Sequence, residues 1–355
     1  MRMKGTLLYA LCLALATAVG CSSTPSHVAY VGLPFDNAVG AYRINDDSGA
    51  MTKIFDSPFA AGTSPSSVVV HSSSKFLYAA NQTENTISLF KIETSTGALT
   101  EVTPRTPTGV TPSSMTTDAS GGFLFVTNRS SNTISSFSID AGSGALTEVS
   151  GSPFATPASP VALTLTPSGK FLYVADANLG IVSAYSVSSG VLSVVAGSPF
   201  AVGRGPVAMI VDSGEHFLYV ANSLDNTVSG LAISSTGALA TIPDTPIATG
   251  TSPFALAFDS TGTYLYTANL LSTNVSAFSV DSSTGKLTEI DKSPFSGPAG
   301  PTFLVLAPSG KYFLIGSQSA KTISEYTIDA TTGALANGSI SVTADSAPTS
   351  LSLAK

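Results

Sequence analysis

The stretch Phe217–Ser229, FLYVANSLDNTVS, recurs along the chain. Near-copies are FLYAANQTENTIS (Phe76–Ser88), FLFVTNRSSNTIS (Phe123–Ser135), FLYVADANLGIVS (Phe171–Ser183) and YLYTANLLSTNVS (Tyr264–Ser276). Weaker copies occupy His27–Tyr42 and Tyr312–Ser324. Aligned on the aromatic, the seven positions are Tyr30, Tyr78, Phe125, Tyr173, Tyr219, Tyr266 and Leu314, with spacings of 48, 47, 48, 46, 47 and 48 residues. A fixed period of this length in a chain of strand formers means repeated supersecondary units. Each unit exposes an apolar face that only its neighbours can cover.

Each unit carries four strand signals. In the unit Pro160–Phe200 the first strand is Pro160–Thr166, followed by the turn Pro167-Ser168-Gly169-Lys170. Phe171–Ala175 is the second strand, Asp176–Gly180 a polar loop, Ile181–Val187 the third strand and Val191–Val195 the fourth. The connection between the third and fourth strands reads IDAGSGALT (Ile139–Thr147) or VDSSTGKLT (Val280–Thr288) elsewhere. Its Asp and Gly have the look of a calcium loop. The simpler reading is an Asp that caps backbone N–H groups and a left-handed Gly in a hairpin.

The first strand shows why units stack. Three residues after its Pro stand Val68, Met115, Leu163, Met209, Leu256, Leu304 and Leu351, and the period of two puts the fifth position on the same face. The second position after Pro is small in six of seven units: Ser67, Ser114, Ala162, Ala208, Ala255 and Ser350, against Phe303. A large face against a small one lets successive sheets approach closely. Ser-Pro-Phe triplets at Ser57, Ser152, Ser198 and Ser293 are expected to end the fourth strand, and a Pro there places that strand outermost. The predicted fold is all-β: a seven-bladed β-propeller of four-stranded antiparallel blades. The first unit begins with its second strand, His27–Gly32, and the chain ends on a lone first strand, Pro348–Ala354. The C-terminal strand is therefore expected to complete the first blade and close the ring.

The propeller spans residues 27–355 in this reading. Before it, Arg2 and Lys4 precede an apolar run, Leu7–Val19, too short to span a bilayer comfortably. Residues 1–20 read as a signal peptide. Ala18-Val19-Gly20-Cys21 resembles the bacterial lipobox, with Ala18 where Leu is usual. Cys21 is the expected lipidation site, residues 21–26 a short tether, and the bilayer the expected partner. Ser22 and Ser23 lack the Asp that retains some lipoproteins at an inner membrane, which favours an outer membrane or a periplasmic face. The other cysteine, Cys12, lies in the signal, so the exported domain has neither disulfide nor thiol nucleophile.

Only 10% of residues are charged, against ~25% in ordinary soluble proteins. Without Arg2 and Lys4 the 15 basic residues fall to 13 against 22 acidic, a net charge near −9. That balance argues against nucleic acid as a partner. Trp is absent, no Cys/His cluster offers a zinc site, and no phosphate-binding loop or Gly-x-Ser-x-Gly in triad context occurs. No cofactor is expected, and a monomer is.

The motifs FLYVAN, NTVS or NTIS, TGALT and PSGK, repeated across residues 27–355, resemble the YVTN-type propellers and the neighbouring seven-bladed lactonase family. That family includes bacterial 6-phosphogluconolactonases and carboxymuconate-cyclising relatives. The resemblance implies a propeller and, by family, a lactone hydrolase. The lactonase branch commonly has His beside the Pro opening an inner strand and an acidic residue after the Asn closing the second. Here the openings contain no His, and Gln82, Arg129, Ala177, Ser223 and Leu270 follow the second strands. His27, His71 and His216 read as surface or turn residues. The chain is therefore expected to be a lipid-anchored binding or scaffolding propeller of the cell envelope, with lactone hydrolysis at the same central mouth as the alternative. Candidate ligand residues are those whose charge breaks a repeat column: Arg204, whose six equivalents are uncharged, Arg129, and Asp176 in place of Asn. The expected ligands are an anionic small molecule, a glycan or an envelope protein.

Overall fold

The computed structural model describes residues 26–354. Cys21 and the apolar run before it lie outside the described residues. Seven antiparallel sheets follow one another in the chain, numbered here as blades one to seven. In blade five the inner strand is Pro206–Val211, then come Phe217–Asn222 and Thr227–Ile233, and the outer edge is Leu239–Thr241. The other blades keep this order. In the unit used above, the strands are Pro160–Leu165, Phe171–Asp176, Ile181–Ser188 and Val191–Val194, each within about a residue of its expected bounds.

The ring closes as the terminal strands require. Ser350–Ala354 pairs antiparallel with Ser26–Leu33, Leu351 opposite Val31 and Leu353 opposite Ala29. Blade one thus takes its inner strand from the far end of the chain.

The outer strand departs from expectation. The Ser-Pro-Phe triplets do not end it but divide it. After Met51–Lys53 the chain leaves the sheet at Ser57-Pro58 and returns as Phe59–Ala60, which pairs with the same third strand. Blades three, four, five and six are split in the same way, whereas blades two and seven keep one long outer strand, Leu99–Pro107 and Leu335–Thr343. A Pro cannot donate to the ladder, and in blades one and three the preceding Ser hydroxyl caps the third strand, although blade two carries Pro104 within its unbroken outer strand. Ser57 Oγ accepts Ala41 N–H at 2.8 Å, and Ser152 Oγ accepts Ser136 N–H at 3.0 Å.

Packing lies between blades. Among the described residues, seven apolar clusters fill the seven blade interfaces. One joins Tyr30 and Val39 of blade one to Val68 and Leu77 of blade two. Another joins Val31 of blade one to Leu314 of blade seven. Leu77, Leu124, Leu172, Leu218, Leu265 and Phe313 share one position and are fully buried. Each contributes roughly 1.5–3 kcal/mol by leaving water. The small second position does permit close approach: Ser67 Oγ accepts Met115 N–H of the next blade at 3.3 Å. The Asp-to-Gly turns are capped hairpins. Asp140 Oδ1 accepts the N–H groups of Gly142 and Ser143, and Gly144 has φ +75°.

Candidate functional site

Inner strands meet at the ring axis, and their bulges decide what faces it. In blade two Pro65 pairs with Asn81 and Ser67 with Ala80, so Ser66 has no partner of its own. The same irregularity recurs in blades three to seven. A bulge re-aims a side chain, and the first residue after each Pro turns into the channel. These residues line a cavity of about 410 Å³ at the face of the second-to-third-strand loops.

The lining is lopsided. On one arc it is hydroxylic: Ser66, Ser113, Thr302 and Thr349. On the other it is apolar: Val161, Val207 and Phe254. Phe254 is 37% exposed. Gln82 and Gln318, the residues after the second strands of blades two and seven, and Pro34, their counterpart in blade one, complete the rim. Among the described residues no Asp, Glu, His, Lys, Arg, Cys or Tyr lines it.

The hydroxyls also lace the ring. Ser66 Oγ donates to Pro112 O at 2.9 Å, Ser113 Oγ to Pro160 O at 3.1 Å and Thr302 Oγ1 to Pro348 O at 2.7 Å, each carbonyl in the next blade. Their lone pairs remain for a ligand.

The three charge-breaking residues sit around this cavity without lining it. Arg204 has a side chain 77% exposed, and its Nε donates to Asp225 Oδ1 at 2.6 Å. Asp225 belongs to a recurrent cap. Its Oδ2 accepts Arg204 N–H at 2.7 Å, as Glu84 accepts Thr63 N–H, Ser131 accepts Val110 N–H and Ser272 accepts Thr251 N–H in their blades. Hydrogen bonds from Arg204 hold the Asp225 carboxyl below the usual carboxylate range. Arg204 is therefore the capped residue whose side chain folds back on its own cap. Arg129 Nε donates to Ser159 Oγ at 3.2 Å, at the opening of blade four.

Asp176 is fully buried. Its equivalents Asn81, Asn128, Asn222 and Asn269 donate from Nδ2 to the third-strand serines, as Asn222 does to Ser229 at 2.9 Å. In blade four the direction reverses, and Ser183 Oγ donates to Asp176 Oδ2 at 2.8 Å. Burial pushes the Asp176 carboxyl up to about 6, while the bonds from Ser183 and Ala158 N–H pull it down. The local sequence fits. Gly62, Gly109, Gly203 and Gly250 stand three before Pro wherever the column holds Asn, and a Cβ on Gly203 would meet Asn222 Cγ at 2.6 Å. Blade four has Pro157 there. The three residues thus have separate surroundings, and Arg129 and Asp176 share only the segment Ala158–Pro160.

The histidines are structural. His71 is buried, with Nε2 2.8 Å from Gly121 O of the next blade, so it is a turn residue but not a surface one. His216 lies exposed in a turn. His27 Nδ1 is 2.8 Å from Asp46 Oδ2, at the end of blade one away from the cavity. A flank concavity of about 400 Å³ beside Phe55 has its cations occupied: Arg43 by the Thr96 carbonyl at 2.9 Å, Lys53 by Asp345 at 2.6 Å.

Comparisons with known proteins agree with this architecture. The closely related fold of a protein from Bacteroides fragilis NCTC 9343, whose name proposes 6-phosphogluconolactonase activity, superimposes with a TM-score of 0.83 at 23% identity, covering 94% of this chain and 99% of that one. A similarly named protein from Bacteroides uniformis ATCC 8492 gives 0.80 at 20% identity, covering 92% and 99%. The periplasmic gluconolactonase of Pseudomonas aeruginosa gives 0.80 at 18% identity, covering 93% and 99%. At these identities the likeness is one of fold. No curated protein matches the chain in sequence. The family model described as Lactonase, 7-bladed beta-propeller, matches residues 22–163 and 159–349, and the chain belongs to that lactonase family.

Proposed function

We propose that this chain is an exported binding propeller that holds a small ligand in its central mouth without hydrolysing it. The observation that carries this reading is the lining. Residues from all seven blades converge on a cavity of about 410 Å³, within the ~300–1,000 Å³ range of small-molecule sites, and none can ionise near neutral pH. Lactone hydrolysis needs a group that takes a proton from water or otherwise activates it. Ser, Thr and Gln side chains with no adjacent base do neither.

The lipid anchor at Cys21 belongs to the same proposal. Ser26 opens the second strand of blade one at its end away from the mouth, eight residues or roughly 25 Å from it. A membrane held there leaves the mouth facing outward.

A second reading, hydrolysis of a sugar lactone at the same mouth, draws on family membership and on the names of the structural neighbours. In this chain it would have to recruit Asp176, whose pKa of about 6 suits a base but whose carboxyl is closed from solvent. A panel of sugar lactones assayed on the purified chain decides between the two. The expected result is no turnover above spontaneous hydrolysis. Turnover that disappears in Asp176→Asn or in the mouth-filling Val207→Trp overturns the binding reading.

A further inference from the structure

The mouth's lining also speaks to the class of ligand, an inference that rests on the mouth being the binding site. We infer that it is built for one uncharged pyranose-sized ring, with its C–H face against Phe254 and its hydroxyl edge toward Gln82, Gln318 and the serine arc.

Charge is the first argument. A phosphate or carboxylate moved into this cavity would lose water and meet no cation. The two arginines of this face lie outside the lining. Arg204 is held by Asp225, and Arg129 is turned to Ser159.

Hydrogen-bonding capacity is the second. Ser66, Ser113 and Thr302 give their protons to carbonyls of the next blade, so these three hydroxyls offer lone pairs to the mouth. Gln82 and Gln318 add amide donors. Each amide carries two N–H donors and an acceptor, and neither has a side-chain hydrogen bond among the described residues. On the apolar arc, Val161, Val207 and Phe254 replace the hydroxyls, so the Pro206, Pro253 and Pro301 carbonyls receive no such bond from the preceding blade. A ligand whose hydroxyls both donate and accept matches donors on the amides, lone pairs on the serines and carbonyls beyond.

Shape is the third. In the column Ser66, Ser113, Val161, Val207, Phe254, Thr302 and Thr349, only Phe254 is aromatic. A sugar ring presents an apolar patch of C–H groups to such a face and hydroxyls around its edge. Separation of polar and apolar walls across one small cavity suits a ring of that kind better than a uniformly apolar molecule. The volume, at the lower end of small-molecule sites, suits one ring rather than an oligosaccharide.

Calorimetric titration of the full exported chain tests this, with methyl glucoside and methyl galactoside as neutral probes and glucuronate and 6-phosphogluconate as charged ones. The neutral probes should bind and the charged ones bind at least about tenfold more weakly. Gln82→Ala, Gln318→Ala and Phe254→Ala should each weaken binding by about tenfold, the scale of one lost hydrogen bond or ring contact. Phe254→Tyr should retain it, and all four variants should keep the melting temperature. Charged probes binding as tightly as neutral ones, or no neutral probe binding, overturns the neutral-ring assignment. If Val207→Trp then abolishes the charged binding, the mouth stands as the site and only the ligand class falls. If Val207→Trp leaves binding intact, both fall.

Discussion

Glu325 of blade seven lies against Gly49 of blade one: a Cβ on Gly49 would meet Glu325 Cδ at 2.9 Å. In five blades the repeat aromatic is a Tyr whose hydroxyl donates to the Gly carbonyl in the turn of the next blade, as Tyr219 does to Gly285 at 2.7 Å and Tyr78 to Gly144 at 2.7 Å. Two blades lack the Tyr, and both place a polar group directly across the strand. Opposite Phe125 stands Ser136, whose Oγ donates to Gly190 O at 2.7 Å. Opposite Leu314 stands Glu325, facing the corresponding Gly49.

Burial raises the pKa of Glu325, so the fold favours its neutral form. Its contribution is full below the unfolded carboxyl pKa and is lost as pH rises through the folded value. Glu325→Gln keeps the shape and cannot ionise. Melts should show the variant matching wild type at pH 4 and exceeding it at pH 8. Equal pH dependence of the two proteins would remove Glu325 from the seam between blades seven and one.

Asp176 follows the same sign at a position where four blades use Asn. With a folded pKa of about 6 against 3.8 for the free side chain, its penalty grows between about pH 4 and pH 6 and is complete at pH 7.5. Asp176→Asn should raise stability at pH 7.5 by roughly 1–3 kcal/mol and change it little at pH 4. Denaturant unfolding at both values checks this. A destabilised variant at pH 7.5 would instead mean that the carboxylate has a partner that Asn cannot serve.

Ring closure rests on the last strand. Removing Pro348–Lys355 takes away the partner of Val28–Gly32 and uncovers the Leu351 and Leu353 contacts with blade seven. The expected result is a melting temperature lower by about 10 °C or more, or loss of a single cooperative transition. A truncated chain that melts with the full one would refute closure through this strand.

Arg204→Ala separates the exposed cap from the mouth. Since the guanidinium bonds Asp225 and lies outside the cavity lining, neutral-ligand affinity should stay within about twofold and the melting temperature should hold. Asp225→Ala should be the more damaging change, because it also strips the Arg204 N–H of its acceptor. Calorimetry and melting on both variants test the pair. A large loss of affinity in Arg204→Ala alone would bring an anionic ligand back to this residue.

Sequence alone determined the repeat, the blade count, the strand order and the closing strand. All four follow from period and alternation, which are local properties of the chain: the aromatic at Tyr219, the turn after Val211, the lone strand after Pro348. It also pointed to a mouth at the second-to-third-strand loops and the inner-strand entries, and of the residues it named after the second strands only Gln82 lines the cavity there. The cavity wall was decided by tertiary structure. Strict alternation assigns the residue after each Pro to the buried face shared by Val68 and Val70, and only the bulge against the second strand turns Ser66, Val207 and Phe254 into the channel. The surroundings of the charges were equally hidden. Arg204 and Asp225 are 21 residues apart, and Asp176 is closed from water by packing that no single repeat contains, so charge in a column marked an unusual residue without showing what it faced. The Arg204–Asp225 contact joins two loops of one blade and the Arg129–Ser159 contact joins two blades, and a pattern of strand alternation records neither.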